Sequence, residues 1–135
     1  MITKQSSKSD HSSIHSGIIL FAHGSRDPLW RLPIEAVASR ITSLSPHARV
    51  MCAYLELTTP DLPSCVRDLI ENGVTRISVL PMFLGIGKHA REDLPLLIKQ
   101  LQDMHPQIDF ELRKAIGEEP ELTLAIAQIA LRPGR

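Results

Sequence analysis

The sequence predicts a single α/β domain in which helices cover both faces of a four-stranded parallel sheet. Three observations support this prediction. The chain has 135 residues, 43% of them hydrophobic, which is enough for one core but not for two. Its candidate strands are uninterrupted apolar runs, as is typical of strands buried on both faces. Strands and helices also alternate four times with short connections, a pattern that favours right-handed crossovers in a parallel sheet.

The first half of the chain predicts two strand–helix units. The first strand covers residues 17–22 and precedes the polar turn HGSRDP. The next helix ends near residues 45–46 and contains Pro33 in its opening turn, where proline is tolerated. Its apolar stripe consists of Ile34, Val37, Ala38, Ile41 and Leu44. The second strand covers residues 49–55, and its helix ends at residues 72–73, Asn-Gly, a frequent helix stop. The stripe of that helix consists of Leu62, Cys65, Val66, Leu69 and Ile70.

The second half predicts two more units. The third strand covers residues 75–81, and Pro95 requires that the following helix either starts near Asp93 or starts earlier and kinks. The fourth strand, residues 108–112, is shorter. The last helix opens at residues 117–120, GEEP, with proline at or near its first position. Its inward-facing residues are predicted to be Leu122, Ile126 and Ile129.

The first 16 residues are predicted to be a disordered arm, so that the domain occupies residues 17–135. They are rich in Ser, Lys, His and Asp and contain no apolar run, which excludes a signal peptide and a membrane span within them. His11 and His15 lie in this arm, and their spacing would suit a metal only on a helix, which the composition does not favour. They are therefore interpreted as solvated residues.

Charge and cysteine content limit partners and location. The formal net charge is zero and the pI is near 7, so the chain lacks the positive charge that nucleic acid or an acidic membrane surface requires. We expect a small-molecule partner instead. Cys52 and Cys65 show no CxxC spacing and fall on apolar faces, which favours buried thiols over a disulfide. Such thiols fit the reducing cytoplasm.

A histidine follows each of two predicted strands. His23 follows the first strand and His89 follows the third, each before a basic and an acidic residue. Open parallel sheets bind ligands beyond the carboxyl ends of their strands, where the strand order reverses. A flavodoxin-like order, with strands one and three adjacent, would place these histidines on strands about 4.8 Å apart. Glu56, at the end of strand two, would stand on the other side of strand one.

These three side chains predict an open site for a divalent metal. Imidazole and carboxylate suit cobalt, nickel, iron or zinc, and three ligands leave a position open for transfer or catalysis. A single histidine at a strand end is more often a structural residue. The parallel placement of two histidines favours the metal.

The stretches HGSRDP and PMFLGIGKHAREDLP resemble the signatures of the small CbiX-type sirohydrochlorin chelatases. Those enzymes insert cobalt, and in relatives nickel or ferrous iron, into a tetrapyrrole without ATP. The resemblance covers residues 17–130, including the Gly117-x-x-Pro120 opening of the last helix. It implies a chelatase-like fold and a role in cobalamin or siroheme biosynthesis, and leaves open which pathway and which metal.

The resemblance also implies roles for individual residues. In the family, the histidines that match His23 and His89 bind the metal and one of them accepts a proton, and the acidic residue that matches Glu56 lies at the site. The loop that matches residues 83–88 contacts the macrocycle. The predicted substrate-binding residues are Arg26, Phe83, Leu84, Gly85, Ile86, Gly87, Lys88 and Arg91. The three cations among them could pair with the carboxylates of sirohydrochlorin. Met82, Phe83, Leu84 and Ile86 could form an apolar wall against the ring.

Residue chemistry agrees with this implied mechanism. Metal insertion removes two pyrrole protons while the ion sheds water, and a neutral histidine can both deliver the ion and accept a proton. The chain contains no GxxxxGK[ST] loop, so we expect no nucleotide cofactor.

Other functions fit less well. Ser25 lacks a GxSxG elbow, which argues against hydrolysis. A histidine phosphatase would have an arginine directly before the histidine, and Ala22 occupies that position. The remaining alternative is a carrier or regulatory module that binds cobalt or nickel without catalysis.

We also expect a homodimer. One domain offers its strand ends as an open edge, whereas a tetrapyrrole needs both faces covered to exclude water. Longer members of the resembled family carry two such domains, so two-fold pairing would supply the second wall. The loops after strands one and three, with residues 82–86, form the predicted contact.

Overall fold

The computed structural model describes residues 15–134 and contains a four-stranded sheet with the order β2-β1-β3-β4. The strands are β1 (Ser16–Ala22), β2 (Arg49–Tyr54), β3 (Arg76–Pro81) and β4 (Asp109–Leu112). Each neighbouring pair is parallel. The predicted flavodoxin-like winding, with β1 beside β3, is therefore confirmed.

Within residues 15–134, four α-helices accompany the sheet. They are α1 (Leu32–Leu44), α2 (Leu62–Glu71), α3 (Lys88–Met104) and α4 (Pro120–Ala130), and a 3-10 turn (Ile116–Glu118) precedes α4. Helix α1 packs on one face of β2 and β1, while α2 and α3 pack on the other face. Helices thus lie on both faces of the sheet, as predicted.

The core lies between the sheet and helices α2 and α3. Successive residues of a strand face opposite sides, so Ala53 joins this core while the Cys52 thiol points to α1 and contacts the Ile34 carbonyl at 3.9 Å. The residues that share the core are almost completely buried: Ile19, Phe21, Leu62, Cys65, Val66, Leu69, Val74, Ile77, Val79, Leu94, Leu101 and Ile108. Helices therefore cover both faces of β2, as predicted.

Helix α2 has well-defined ends. The Asp61 carboxylate Oδ1 accepts a hydrogen bond from the Ser64 backbone N–H at 2.9 Å, which caps the amino end. Hydrogen bonds from the Ser64 side chain and from its backbone N–H lower the pKa of Asp61. At the other end, Gly73 adopts a φ of +86°, and the predicted stop at Asn72 and Gly73 is confirmed.

Helix α3 begins at Lys88, so of the two predicted starts the one near Asp93 is wrong. Pro95 lies inside the helix. The missing proline N–H leaves one backbone acceptor without its intrahelical bond, and the surrounding packing tolerates this cost because Leu94 and Leu101 are buried. The early start has a functional consequence, since it places His89 in the first helical turn.

Helix α4 differs most from its prediction. Ile126 and Ile129 were expected to face inward, but they are 40% and 55% exposed, and Leu122 is only half-buried. The 3-10 turn explains the difference because it is held against the loop after β3. The Gly117 N–H donates to the Phe83 carbonyl at 3.0 Å, and a Cβ at Gly117 would collide with the Leu84 carbonyl. Helix α4 consequently packs mainly against this turn.

The boundary between the predicted arm, residues 1–16, and the domain also differs from the prediction. The His15 carbonyl accepts hydrogen bonds from the backbone N–H groups of Thr75 and Arg76, at 2.8 and 3.2 Å, and Ser16 opens β1. These two residues extend the sheet. The rest of the predicted arm, including His11, lies outside the described residues. Within residues 15–134, no helix is long and apolar enough to cross a membrane.

Candidate functional site

A cavity of about 480 Å³ lies at the carboxyl ends of β1 and β3. Its walls are mainly apolar and come from the end of β1, the loop after β3 and the first turns of α3. The side chains of Phe21, Phe83 and Ile86 form much of this surface, and His23, Lys88 and His89 supply polar groups at its edge. The cavity has the size and character of a small-molecule site at a topological switch point.

His23 and Glu56 meet at one side of the cavity. The His23 Nε2 atom lies 3.3 Å from Glu56 Oε1, and both side chains are more than half exposed. Backbone pairing between the two loops continues past the strand ends. The Leu55 N–H donates to the Ala22 carbonyl at 2.9 Å, and the Glu56 N–H donates to the His23 carbonyl at 3.0 Å. The sheet therefore sets the spacing of the imidazole and the carboxylate.

Gly24 permits this close approach. Its φ is +108°, a conformation that L side chains rarely adopt, and a Cβ there would collide with the Glu56 carbonyl oxygen. Thr58 then fastens the loops. Its hydroxyl donates to the Ser25 carbonyl at 2.7 Å and accepts from the Ser25 N–H at 3.0 Å. Two contacts thus hold the His23–Glu56 pair: the hydrogen bonds between the two loop backbones and the hydrogen bonds of the Thr58 hydroxyl.

His89 lines the same cavity as His23 and lies in the first turn of α3. The loop after β3 leads into the helix at Gly87, which is the N-cap residue. Asp93 follows His89 by one helical turn and lines the same cavity. The exposed N–H groups and positive end of α3 also face this region, where they favour an anionic group.

The structure brings together part of the predicted metal set. The His23 and Glu56 side chains lie 3.3 Å apart, whereas His89 shares the cavity with His23 only and does not complete a cluster. Within residues 15–134, no three His, Cys, Asp or Glu side chains form a group that could hold a metal ion. The convergence of three ligands at one point, as expected from strand order, is therefore not found. The spacing of the strands fixes the backbone only at the strand ends. His89 lies beyond the loop after β3, so the strand spacing does not determine its position.

The predicted substrate-binding residues separate into two groups. Phe83, Gly85, Ile86, Gly87 and Lys88 line the cavity. The others, Arg26, Leu84 and Arg91, do not line it. The Arg91 Nη1 donates to the Ile86 carbonyl at 3.0 Å, so this guanidinium supports the loop instead.

Sequence reasoning missed several residues at this site. Leu55 was predicted to end strand two, but β2 ends at Tyr54 and Leu55 lines the cavity. Asp93 was considered only as a helix start, although its four-residue spacing from His89 could have indicated a shared face. The loops after the first three strands also carry exposed leucines: Leu29, Leu55, Leu57 and Leu84.

The two thiols lie away from the cavity. Cys52 and Cys65 are both free. Burial raises the pKa of Cys52, and it raises the pKa of Cys65 to about 12. Because only the thiolate attacks electrophiles or binds metal strongly, these cysteines are poorly suited to catalysis at neutral pH.

Comparison with known proteins gives a consistent picture. Residues 17–131 match the model of the CbiX family. A sirohydrochlorin cobaltochelatase from Methanopyrus kandleri is 32% identical over 81 residues, which are 60% of this chain and 57% of that protein. A solved cobalamin (vitamin B12) biosynthesis CbiX protein from Marinobacter aquaeolei VT8 is 36% identical, with a TM-score of 0.74, and the match covers 85% of this chain and 93% of that chain.

A longer solved chelatase shares the same fold. SirB from Bacillus subtilis subspecies spizizenii, solved in complex with cobalt, is 25% identical with a TM-score of 0.70. The match covers 84% of this chain but only 48% of SirB. The chain also spans less than two thirds of the first cobaltochelatases that it matches, 57% and 62% of their lengths. The family match over residues 17–131, together with the sheet order and the position of the cavity, shows that the chain belongs to the CbiX family.

Proposed function

We propose that this chain is an ATP-independent chelatase that inserts a divalent metal ion into sirohydrochlorin. Cobalt is the first candidate for the metal, with nickel and ferrous iron as alternatives. One observation carries the proposal: His23, already paired with the Glu56 carboxylate at 3.3 Å, shares an apolar-walled cavity with His89. The relatives named sirohydrochlorin cobaltochelatase, and the sirohydrochlorin chelatase SirB solved with cobalt, support the ring and the metal as substrates.

The reaction begins with capture of the metal by His23 and Glu56. A neutral imidazole and a carboxylate suit borderline divalent ions, and two protein ligands leave the ion free to exchange water for ring nitrogens. Because both side chains are more than half exposed, the ion can reach them from solvent. Glu56 also compensates part of the charge of the incoming ion.

His89 acts on the ring from the first turn of α3. The free ring carries two pyrrole N–H protons, both of which must leave as the metal enters. A neutral imidazole on the cavity wall can accept them one after the other and pass each to solvent. Asp93, one turn along α3, stabilises the imidazolium that forms, since an adjacent carboxylate favours the charged imidazole.

The tetrapyrrole lies against the apolar wall of the cavity. Phe83 and Ile86 contact the ring face and exclude water from it. Lys88 and the amino end of α3 bind the peripheral carboxylates. Arg26 and Arg91 lie outside the cavity lining, so they would contact only carboxylates that extend beyond it.

The oligomeric state and the location of the protein are proposed from the same features. We propose a homodimer, because the cavity is open and one copy supplies one wall for a flat ring. A cytoplasmic location fits two free thiols. No nucleotide is required in this mechanism, since metal capture and proton removal are both performed by side chains.

Absorbance spectroscopy tests the proposal. Purified full-length protein is mixed with sirohydrochlorin and with Co²⁺, Ni²⁺ or Fe²⁺ in turn, without ATP and under anaerobic conditions for iron. We expect the visible spectrum to change to that of the metallated ring faster than in a protein-free control. Metal binding with no spectral effect of the protein on the ring would instead identify a metal carrier.

A further inference from the structure

A second, smaller cavity lies beside the candidate site, at the carboxyl ends of β3 and β4. Its volume is about 190 Å³. Ile86, Ala90 and Leu94 line both this cavity and the cavity of about 480 Å³ that contains the two histidines. The two cavities therefore share a wall, which is formed by the loop after β3 and the first turns of α3.

Three cationic side chains surround the smaller cavity. Arg91 comes from α3, whereas Arg113 and Lys114 come from the segment after β4, and all three are exposed. Arg91 donates to the Ile86 carbonyl at 3.0 Å, and the Lys114 Nζ atom lies 3.4 Å from Glu119 Oε1. Among the described residues, the Arg113 guanidinium has neither an ion pair nor a hydrogen bond. This cation is available to an anionic ligand.

The rest of the lining suits an aliphatic acid. Pro81, Pro95 and Leu112 provide apolar surface for methylene groups. Glu118 also lines the cavity, and its Oε2 atom accepts a hydrogen bond from the Ala115 N–H at 3.3 Å. Together with Glu119, it leaves the three cations with an excess of positive charge. A short acidic side chain could thus place its stem on the apolar surface and its carboxylate among the cations.

The larger cavity cannot bind many carboxylates by itself. Within residues 15–134, Lys88 is the only Lys or Arg in its lining, and Asp93 lines it as well. Sirohydrochlorin carries acidic side chains around its whole periphery. Because few of them can pair with Lys88, the others must remain in water or find cations outside the larger cavity.

We propose that the smaller cavity is a subsite for one acidic side chain of the tetrapyrrole, with Arg113 and Lys114 as its specificity-determining residues. This assignment rests on the proposed function and adds residues that select an acidic ring. The planar Arg113 guanidinium can donate two parallel hydrogen bonds to a carboxylate. Lys114 contributes a second positive charge, and Arg91 holds the shared wall through its bond to Ile86.

Titration of metal-free sirohydrochlorin with the full chain tests the subsite without any metal insertion. The double variant Arg113→Gln/Lys114→Gln removes both charges and keeps most of each stem. We expect its dissociation constant for the ring to rise about 10-fold, and its KM to rise in parallel. Added salt should weaken ring binding by the wild type more than by this variant. The Co²⁺ affinity and the insertion rate at saturating ring should stay unchanged.

Two further variants separate charge from shape. Arg113→Lys/Lys114→Arg keeps both charges and should bind the ring as the wild type does. Lys99→Gln is the matched control, because Lys99 is an exposed lysine of α3 that pairs with Asp103 and lines neither cavity. Circular dichroism must show that each variant keeps its helices. If the double variant does not fold, Arg113→Gln alone carries the test, since it leaves the ion pair between Lys114 and Glu119 intact.

Equal ring affinity in the wild type and in the charge-removing variants would overturn the subsite and leave the chelatase mechanism intact. An equal loss in Arg113→Lys/Lys114→Arg would also overturn it, because shape rather than charge would then determine binding. A wild type that binds no ring would overturn both proposals. A wild type that shows the expected salt and variant dependence of ring binding but inserts no metal would support the subsite and overturn the chelatase.

Discussion

His23 depends on its neighbours for its position. Gly24 and Thr58 hold the loop after β1 against the loop after β2, and this contact places the imidazole 3.3 Å from the Glu56 carboxylate. Neither side chain is buried, so packing around them contributes little to their orientation. The geometry of the site is consequently encoded in the backbone of the loops, and substitutions there should affect activity as much as substitutions of the ligands.

Gly24→Ala tests this dependence. The added methyl group requires an unfavourable φ of +108° and collides with the Glu56 carbonyl, so the two loops must separate. We expect a loss of roughly 1–3 kcal/mol in the free energy of unfolding and a large fall in metal affinity. Urea denaturation and calorimetric Co²⁺ titration measure the two effects.

Gly85→Ala is the matched control, because among the described residues a Cβ at Gly85 meets no atom within 4 Å. Its stability should be close to that of the wild type. Unchanged Co²⁺ affinity in Gly24→Ala would show that the loop contact does not position the pair.

Glu56→Gln removes the charge of the Glu56 side chain and keeps its shape, so it tests the effect of the charge alone. The amide keeps the size of the side chain and can still accept a hydrogen bond, but it no longer neutralises the metal ion. We expect Co²⁺ affinity and insertion rate to fall less than in His23→Ala. Equal losses in the two variants would indicate that the carboxylate is as necessary as the imidazole.

Some of these residues could be predicted from the sequence and others could not. His23 was indicated by its position directly after the first apolar strand, and His89 by its position in the segment that follows the third. The separation of His89 from the His23–Glu56 pair was not predictable, because it depends on how residues 82–87 turn between β3 and α3. The local spacing of Asp93 relative to His89 was available in the sequence.

Helix α2 has the most defined end signals of the four helices. Asp61 caps it, Pro63 occupies its first turn, and Gly73 stops it. Each of these residues is a local signal that acts whatever the surrounding fold. For this reason the sequence predicted the end of this helix correctly.

Asp61→Ala should destabilise the protein by about 1 kcal/mol, the usual value of an N-cap. The hydrogen bond from Ser64 lowers the pKa of Asp61, so its stabilising contribution is present above the ordinary carboxyl range and is lost as the pH falls. Urea unfolding at pH 7 and at pH 3 measures this. The difference between wild type and variant should be smaller at pH 3 than at pH 7, and an equal difference at both values would contradict the cap.

Helices α3 and α4 show where local signals are insufficient. Pro95 is compatible with either a late start or a proline inside the helix, and only the burial of Leu94 and Leu101 selects the longer helix. The periodicity of α4 predicts an apolar face, but periodicity does not specify which surface covers that face. The error at Ile126 and Ile129 arises from this difference.

The described residues form one core, on the α2 and α3 side of the sheet. Buried titratable groups make the free energy of unfolding sensitive to alkaline pH. Burial raises the pKa of Cys65 from 9.0 to about 12, and it raises the pKa of Tyr54 from 10.0 to about 12. A raised folded-state pKa means that the stabilising effect is complete below the unfolded value and is lost as the pH rises toward the folded value. The free energy of unfolding should therefore fall between about pH 9 and pH 12.

Urea unfolding in steps from pH 8 to pH 11 measures this slope. Cys65→Ala removes one of the two groups, so its stability should decline less steeply with pH even if its stability at pH 8 is lower. Parallel curves for wild type and variant would show that the buried thiol does not contribute.

Topology was the most predictable feature of the molecule as a whole. Alternating strands and helices with short connections leave few arrangements, and the order β2-β1-β3-β4 is one of the commonest. The exposure of α4 could not be predicted, because it depends on where the chain turns after β4.

The role of the two histidines is tested by single-turnover insertion of Co²⁺ into sirohydrochlorin. His23→Ala and His89→Ala are compared with His47→Ala, which changes an exposed histidine in the loop before β2. All three should retain the circular dichroism of the wild type. We expect the insertion rate to fall about 100-fold or more in each of the first two variants, with His47→Ala unchanged. Wild-type rates in either His23→Ala or His89→Ala would contradict a chelatase mechanism in which one histidine captures the metal and the other accepts a pyrrole proton.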